Sequence, residues 1–193
     1  MALSTLSLQL QTPVKWWQKA PKINGVYLCG PVGRGKSMLM DLFYNNVPIV
    51  QKQRLHFHHF IAHVHSQLAD LQGQANPLTL IAKKWAKNIK VLCFDEFFVS
   101  DIGDAMIMAR LFKALFDQGV VLVATSNAKP EQLYSNGLQR ARFLPTIDLI
   151  NDHCHIVSVA GQEDHRFRYG KNNCHYFVNL PNDEFNKLFT KQY

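Results

Sequence analysis

The apolar positions along this chain fall into short blocks separated by stretches of helical period. Residues 26–29 (Val-Tyr-Leu-Cys) make the first block and predict a strand. Met38-Leu39-Met40-Asp41-Leu42-Phe43 then starts a helix over 36–46, stopped by Asn45-Asn46 and Pro48. Arg54-Leu55-His56-Phe57-His58 alternates and predicts a second strand over 54–58, followed by a helix from about 60 to 71 that Gly73 ends. Asn76-Pro77 opens a further helix reaching about Lys87. Val91-Leu92-Cys93-Phe94 is apolar throughout and runs into two carboxylates, Asp95-Glu96. Ser100 or Asp101 can cap a helix to about Asp117, which Gly119 closes. Residues 120–125 are a continuous run, as parallel strands covered on both faces tend to be, and 155–159 predict a fifth strand.

Strands alternating with helical segments imply a parallel five-stranded sheet covered by helices, an α/β fold. Residues 25–160 make this core. Residues 1–24 show no clear period and read as an N-terminal segment or linker, with Trp16-Trp17 as packing aromatics. Residues 161–193 are polar and aromatic without a clean period and form a partial C-terminal extension.

The chemistry concentrates between the first strand and the first helix. Gly30-Pro31-Val32-Gly33-Arg34-Gly35-Lys36-Ser37 fits G-x-x-x-x-G-K-[ST], in the strand–loop–helix context that pattern requires. Glycines let backbone N–H groups curl around phosphate oxygens, and the helix N-terminus adds its dipole. Lys36 is placed to reach the β- and γ-phosphates, and Ser37 to put its hydroxyl on Mg2+. Asp95, at the end of a buried strand, is the second candidate Mg2+ ligand. Glu96 beside it is placed to take a proton from water attacking the γ-phosphate, a group that nucleotide kinases do not need there. No N-K-x-D for guanine follows the loop: the one Asn-Lys, Asn186-Lys187, continues Leu-Phe. ATP hydrolysis is therefore the expected reaction, with ATP and Mg2+ as ligands.

Further residues join this set. Asn127, after the fourth strand, can contact the γ-phosphate or the attacking water, or serve as an ordinary turn asparagine. Arg140 and Arg142 can act as a finger toward a neighbouring subunit's γ-phosphate, or lie on a basic surface. His56, His58, His59, His63 and His65 crowd together, but no Glu stands between His59 and His63 as in H-E-x-x-H. A half-buried strand and helix face explains them better than a metal, and His56 or His58 could relay the nucleotide state.

Composition narrows the setting without deciding it. The 193 residues are 47% hydrophobic, enough for one domain with a sizeable core. A net charge of +7 suits a nucleotide, nucleic acid or an acidic partner surface equally. Cys29, Cys93, Cys154 and Cys174 contain no C-x-x-C pair, which favours a reducing compartment and disfavours zinc. No apolar run approaches the roughly 20 residues of a membrane span. The N-terminal stretch is free of acids before Asp41, loosely like a transit peptide, but it carries no arginine before the loop. A cytoplasmic location is thus expected ahead of a mitochondrial one.

Taken together, the stretch from Gly25 through the phosphate loop to Tyr44, Arg-Leu-His-Phe-His-His-Phe from Arg54, Leu-Cys-Phe-Asp-Glu-Phe-Phe-Val-Ser-Asp-Ile from Leu92 and Asn-Gly-Leu-Gln-Arg-Ala-Arg-Phe-Leu-Pro from Asn136 resemble the ZapE-type ATPases. These are AAA+-related P-loop proteins with mitochondrial relatives in the AFG-one-like group. The resemblance implies cytoplasmic ATP hydrolysis, homo-oligomer formation and association with the bacterial division ring through FtsZ, whose polymers are remodelled. It matches Lys36, Ser37, Asp95 and Glu96 to the nucleotide motifs, Asn127 to a sensor and Arg140 or Arg142 to the finger. Family members continue well beyond residue 193, and His165-Arg166-Phe167-Arg168 resembles the start of a helical lid, so a trimmed chain lacking much of that lid is expected. The rival reading is a nucleic-acid-dependent ATPase such as a helicase loader, and a third is a nucleotide-binding adaptor that turns over little.

Overall fold

The computed structural model describes residues 2–11 and 23–159. Five strands, β1 (Gly25–Cys29), β2 (Lys52–His56), β3 (Val91–Asp95), β4 (Val121–Ser126) and β5 (Cys154–Ser158), form one sheet. Its order is β2-β3-β4-β1-β5, and every pairing is parallel. The helices are α1 (Ala2–Gln11), α2 (Lys36–Asn46), α3 (Phe57–Asp70), α4 (Pro77–Ala86), α5 (Ile102–Asp117) and α6 (Leu144–His153).

Side-chain alternation along the strands divides the core in two. Val26, Leu28, Val91, Cys93, Val121 and Val123 point to one face, where they pack with Leu6 of α1 and Met40 and Phe43 of α2. Tyr27, Cys29, Leu92, Phe94, Leu122 and Ala124 point to the other, against α3, α4, α5 and α6. The central strands are buried at every position, which is why they read as continuous apolar runs. At Gly25 the backbones of β1 and β4 come so close that a Cβ would stand 1.8 Å from the Leu122 carbonyl oxygen.

Four elements, β2, α3, α1 and α6, differ from the sequence reading in their bounds or existence. The strand expected over 54–58 ends at His56, and α3 begins directly at Phe57. Phe57, Phe60, Ile61 and Val64 are all buried at i, i+3, i+4 and i+7, so the helical period overrides the alternation that runs into it. The histidines beside them, His56, His58, His59, His63 and His65, are all exposed rather than half-buried. Helices α1 and α6 were not expected. Leu3, Leu6 and Leu10 are spaced for one face of α1, and all three pack into the second core. Helix α6 carries Pro145 in its first turn and buries Thr146, Ile147 and Ile150. Trp16-Trp17, Cys174 and the segment 165–168 lie outside the described residues.

Candidate nucleotide site

Strand β1 lies between β4 and β5, and the chain leaves its C-terminal end as the phosphate loop. This is where strand connections diverge to opposite sides, the usual ligand crevice of an open α/β sheet. Gly30, Gly33 and Gly35 turn the loop with φ of 152°, 80° and 76°, a region that side-chain-bearing residues rarely adopt. Gly35 thereby sets α2 going at Lys36.

Lys36 is only 8% exposed. Its Nζ donates to the carbonyls of Gly30 (2.7 Å) and Pro31 (2.8 Å) and to Asn127 Oδ1 (3.0 Å). The loop lysine and the asparagine after β4 are thus joined directly, although 91 residues separate them. Burial pushes the Lys36 ammonium below the ordinary lysine value, partly opposed by the nearby Cys29. A phosphate anion would offset that burial.

A cavity of about 480 Å³ opens here, within the usual size for a small-molecule site. Val32, Gly33, Arg34, Gly35, Lys36, Ser37, Glu96 and Asn127 all line it, with Met38, Thr125 and Ser126. Gly30 and Pro31 contribute through the carbonyls that hold Lys36. Arg34 turns its Nε and Nη1 inward without a protein partner.

Glu96 is held by what flanks it. Its backbone is left-handed, with φ 53°, and its N–H donates to Thr125 Oγ1 at 3.1 Å. The Phe97 N–H donates to the Thr125 carbonyl at 2.7 Å, and Ser126 Oγ donates to the Phe97 carbonyl at 2.8 Å. The Phe97 ring is buried against Phe57, with centroids 4.6 Å apart. Side-chain alternation stops after Asp95, so Glu96 projects into the cavity instead of continuing the strand. A second cavity of about 590 Å³ shares Glu96, Ser126 and Asn127, and His58 and Phe98 line it. Among the described residues no group of three or more His, Cys, Asp or Glu is placed to hold a metal by itself.

Asp95 does not line the cavity; it is 7% exposed. Like Val91 and Cys93 it points to the α2 face. Its Oδ2 accepts from Arg54 Nε at 2.6 Å, while Oδ1 is buried without a partner. Arg54 also donates through Nη1 to Asp41 of α2. Sequence reasoning gave Arg54 no role, because its carboxylate partners Asp41 and Asp95 lie far from it along the chain. The orphaned carboxylate oxygen, the exposed Ser37 hydroxyl and the glycine cradle fit a Mg2+-bound nucleotide.

The two arginines lie apart from this cluster. They form a single 3-10 turn, Arg140–Arg142, and neither lines the cavity. Arg140 donates through Nη2 to the Glu131 carbonyl at 2.7 Å, whereas Arg142 is exposed.

Comparison with known proteins agrees with this architecture. The family model for AFG1-like ATPases matches residues 5–191. The chain belongs to the AFG1-like ATPase family. It is 56% identical over 150 residues to the cell division protein ZapE of Escherichia coli K12, covering 78% of this chain and 40% of that protein. It is 45% identical over 155 residues to lactation elevated protein 1 homolog B of Danio rerio, covering 75% and 31%. The chain therefore spans less than half the length of these relatives. Among solved structures it resembles DnaI, with a TM-score of 0.56, 16% identity and coverage of 85% and 80%. It also resembles AMPPCP-bound DnaA from Aquifex aeolicus, with a TM-score of 0.57, 16% identity and coverage of 96% and 54%. At such identities these two share the fold alone. That fold is the P-loop, AAA+-like one: a five-stranded parallel sheet covered by helices. No helix among the described residues is long and apolar enough to cross a membrane.

Proposed function

We propose that this AFG1-like chain binds ATP with Mg2+ and hydrolyses it, and that the energy remodels a protein partner in cell division. The observation that carries the reading is the single cavity shared by Lys36, Ser37, Glu96 and Asn127. Lys36 and the backbone N–H groups of residues 32–37 would hold the phosphates. Ser37 Oγ and Asp95 Oδ1 would hold Mg2+, which draws negative charge off the β- and γ-phosphates when bound. Glu96 would accept the proton of the attacking water, and Asn127 would orient that water once Lys36 turns from Asn127 to the phosphate. Arg142 is the better finger of the two, since Arg140 is already engaged with a carbonyl of its own chain. Such a finger requires a homo-oligomer in which one subunit completes the next one's site.

The 56% identity to a protein named for cell division supports the setting. FtsZ is the proposed partner, with the protein cytoplasmic and recruited to the division site. ATP turnover should be measured alone, with FtsZ filaments and with single-stranded DNA, beside Lys36→Ala and Glu96→Gln. The reading expects Lys36→Ala to lose ATP affinity and Glu96→Gln to bind ATP but turn over at least about a hundredfold more slowly. Wild-type turnover by Glu96→Gln would remove Glu96 as the base. A large stimulation by DNA that falls steeply with salt would replace FtsZ by nucleic acid as the partner.

A further inference from the structure

We infer that Arg54 is a positioning residue for the candidate metal carboxylate: it ties Asp95 to the helix that carries Ser37, and so sets how far apart the two Mg2+ ligands stand. The inference rests on the proposed nucleotide reading of the site.

Arg54 pairs with Cys93 in the β2–β3 register, and Cys93 and Asp95 share one face of β3. From there the guanidinium reaches forward to Asp95 Oδ2 and across to Asp41 Oδ1. Asp41 follows Ser37 by one helical turn, so the two lie on the same side of α2. One planar group thus joins β2, β3 and the helix behind the phosphate loop. A lysine, as a single point charge, cannot hold two carboxylates in a fixed fork.

The two contacts differ in character. The Asp41 side chain is 52% exposed, so that pair is screened by water and adds little to stability. The Asp95 side chain is 9% exposed, and its contact with Arg54 leaves only Oδ1 to be satisfied. With Oδ2 held by Arg54, Oδ1 is the oxygen left to take a metal. Edge strand β2 has its own backbone ladder to β3, so the sheet does not need Arg54 to stay assembled.

The experiment titrates a fluorescent ATP analogue into the protein in EDTA and then across a Mg2+ series, beside kcat, KM and thermal unfolding. Arg54→Met should keep the EDTA affinity of wild type, which the loop and Lys36 set. It should raise the Mg2+ concentration for half-maximal effect about tenfold or more and lower kcat more than it raises KM, as groups that orient a metal ligand do. Arg54→Lys should shift the Mg2+ requirement in the same direction by a smaller factor, and it carries the test if Arg54→Met does not fold. An unchanged Mg2+ requirement in folded Arg54→Lys and Arg54→Met overturns the inference. So does an equal loss of affinity in EDTA, which would make Arg54 a support for the loop rather than for the metal. If wild type itself binds no nucleotide, the proposed function falls and this inference with it.

Discussion

Replacing Thr125 by Val tests how Glu96, the proposed base, is held, because it keeps the shape of the side chain and removes one acceptor. Thr125 is 2% exposed, and its hydroxyl oxygen receives the Glu96 N–H at 3.1 Å in a left-handed turn. The Phe97 N–H to Thr125 carbonyl bond uses the backbone and survives the change. The loss is therefore one hydrogen bond, about 1 kcal/mol. For a domain of this size that lowers Tm by about 2–4 °C. If the bond also holds Glu96 where it must take a proton, the same energy returns as a fall of about fivefold in kcat. ATP affinity should not change, since Lys36 and the loop are untouched. Thermal unfolding, nucleotide titration and steady-state turnover on one preparation separate these effects. A lower Tm with unchanged kcat would mean that Thr125 supports only the fold. A loss of ATP affinity equal to the loss of kcat would mean that the whole crevice has shifted, and the account of Glu96 would be wrong.

Three further outcomes follow from particular groups. Burial lowers the Lys36 value, and phosphate binds the ammonium form, so ATP affinity should fall as pH rises through that lowered value; calorimetric titrations showing constant affinity up to the ordinary lysine value of 10.5 would refute it. Burial raises the Cys93 and Cys154 thiols to about 12, so at pH 8 they should react with a thiol reagent roughly a thousandfold more slowly in the native protein than in denaturant, and quick labelling of either would contradict their placement. Gly25→Ala should destabilise the protein by about 3 kcal/mol or more in denaturant unfolding, because the obstacle is the Leu122 backbone, which cannot rotate away; a near-neutral effect would mean that β1 and β4 are farther apart than described.

Where the signals are local, the chain's own pattern was enough to read the structure. Helix α2 begins at Lys36 and ends at Asn46 as its pattern predicts, because the glycine turn before it and the Asn-Asn-Val-Pro stretch after it are local signals. Asp101 caps α5 through the Gly103 and Asp104 N–H groups for the same reason. Continuous apolar runs identified the strands buried on both faces. Where two periods overlapped, at Phe57, the pattern alone could not choose, and packing against Phe94 and Phe97 did. Helices α1 and α6 escaped notice because each gains its stability from the sheet it covers rather than from caps or propensity.

Which residues meet depends on the order of the strands and not on any motif. The order β2-β3-β4-β1-β5 sets β4 between the strand that ends in Asp95 and the strand that feeds the phosphate loop. That places Asn127 against Lys36 and Thr125 against Glu96, contacts between residues far apart in sequence. Arg54 is the clearest case. Its two partners lie 13 and 41 residues away, and nothing in the chain around it marks either one. A motif records a residue's neighbours along the backbone, whereas this ion pair exists because parallel pairing and one helical turn bring two distant carboxylates within reach of a single guanidinium.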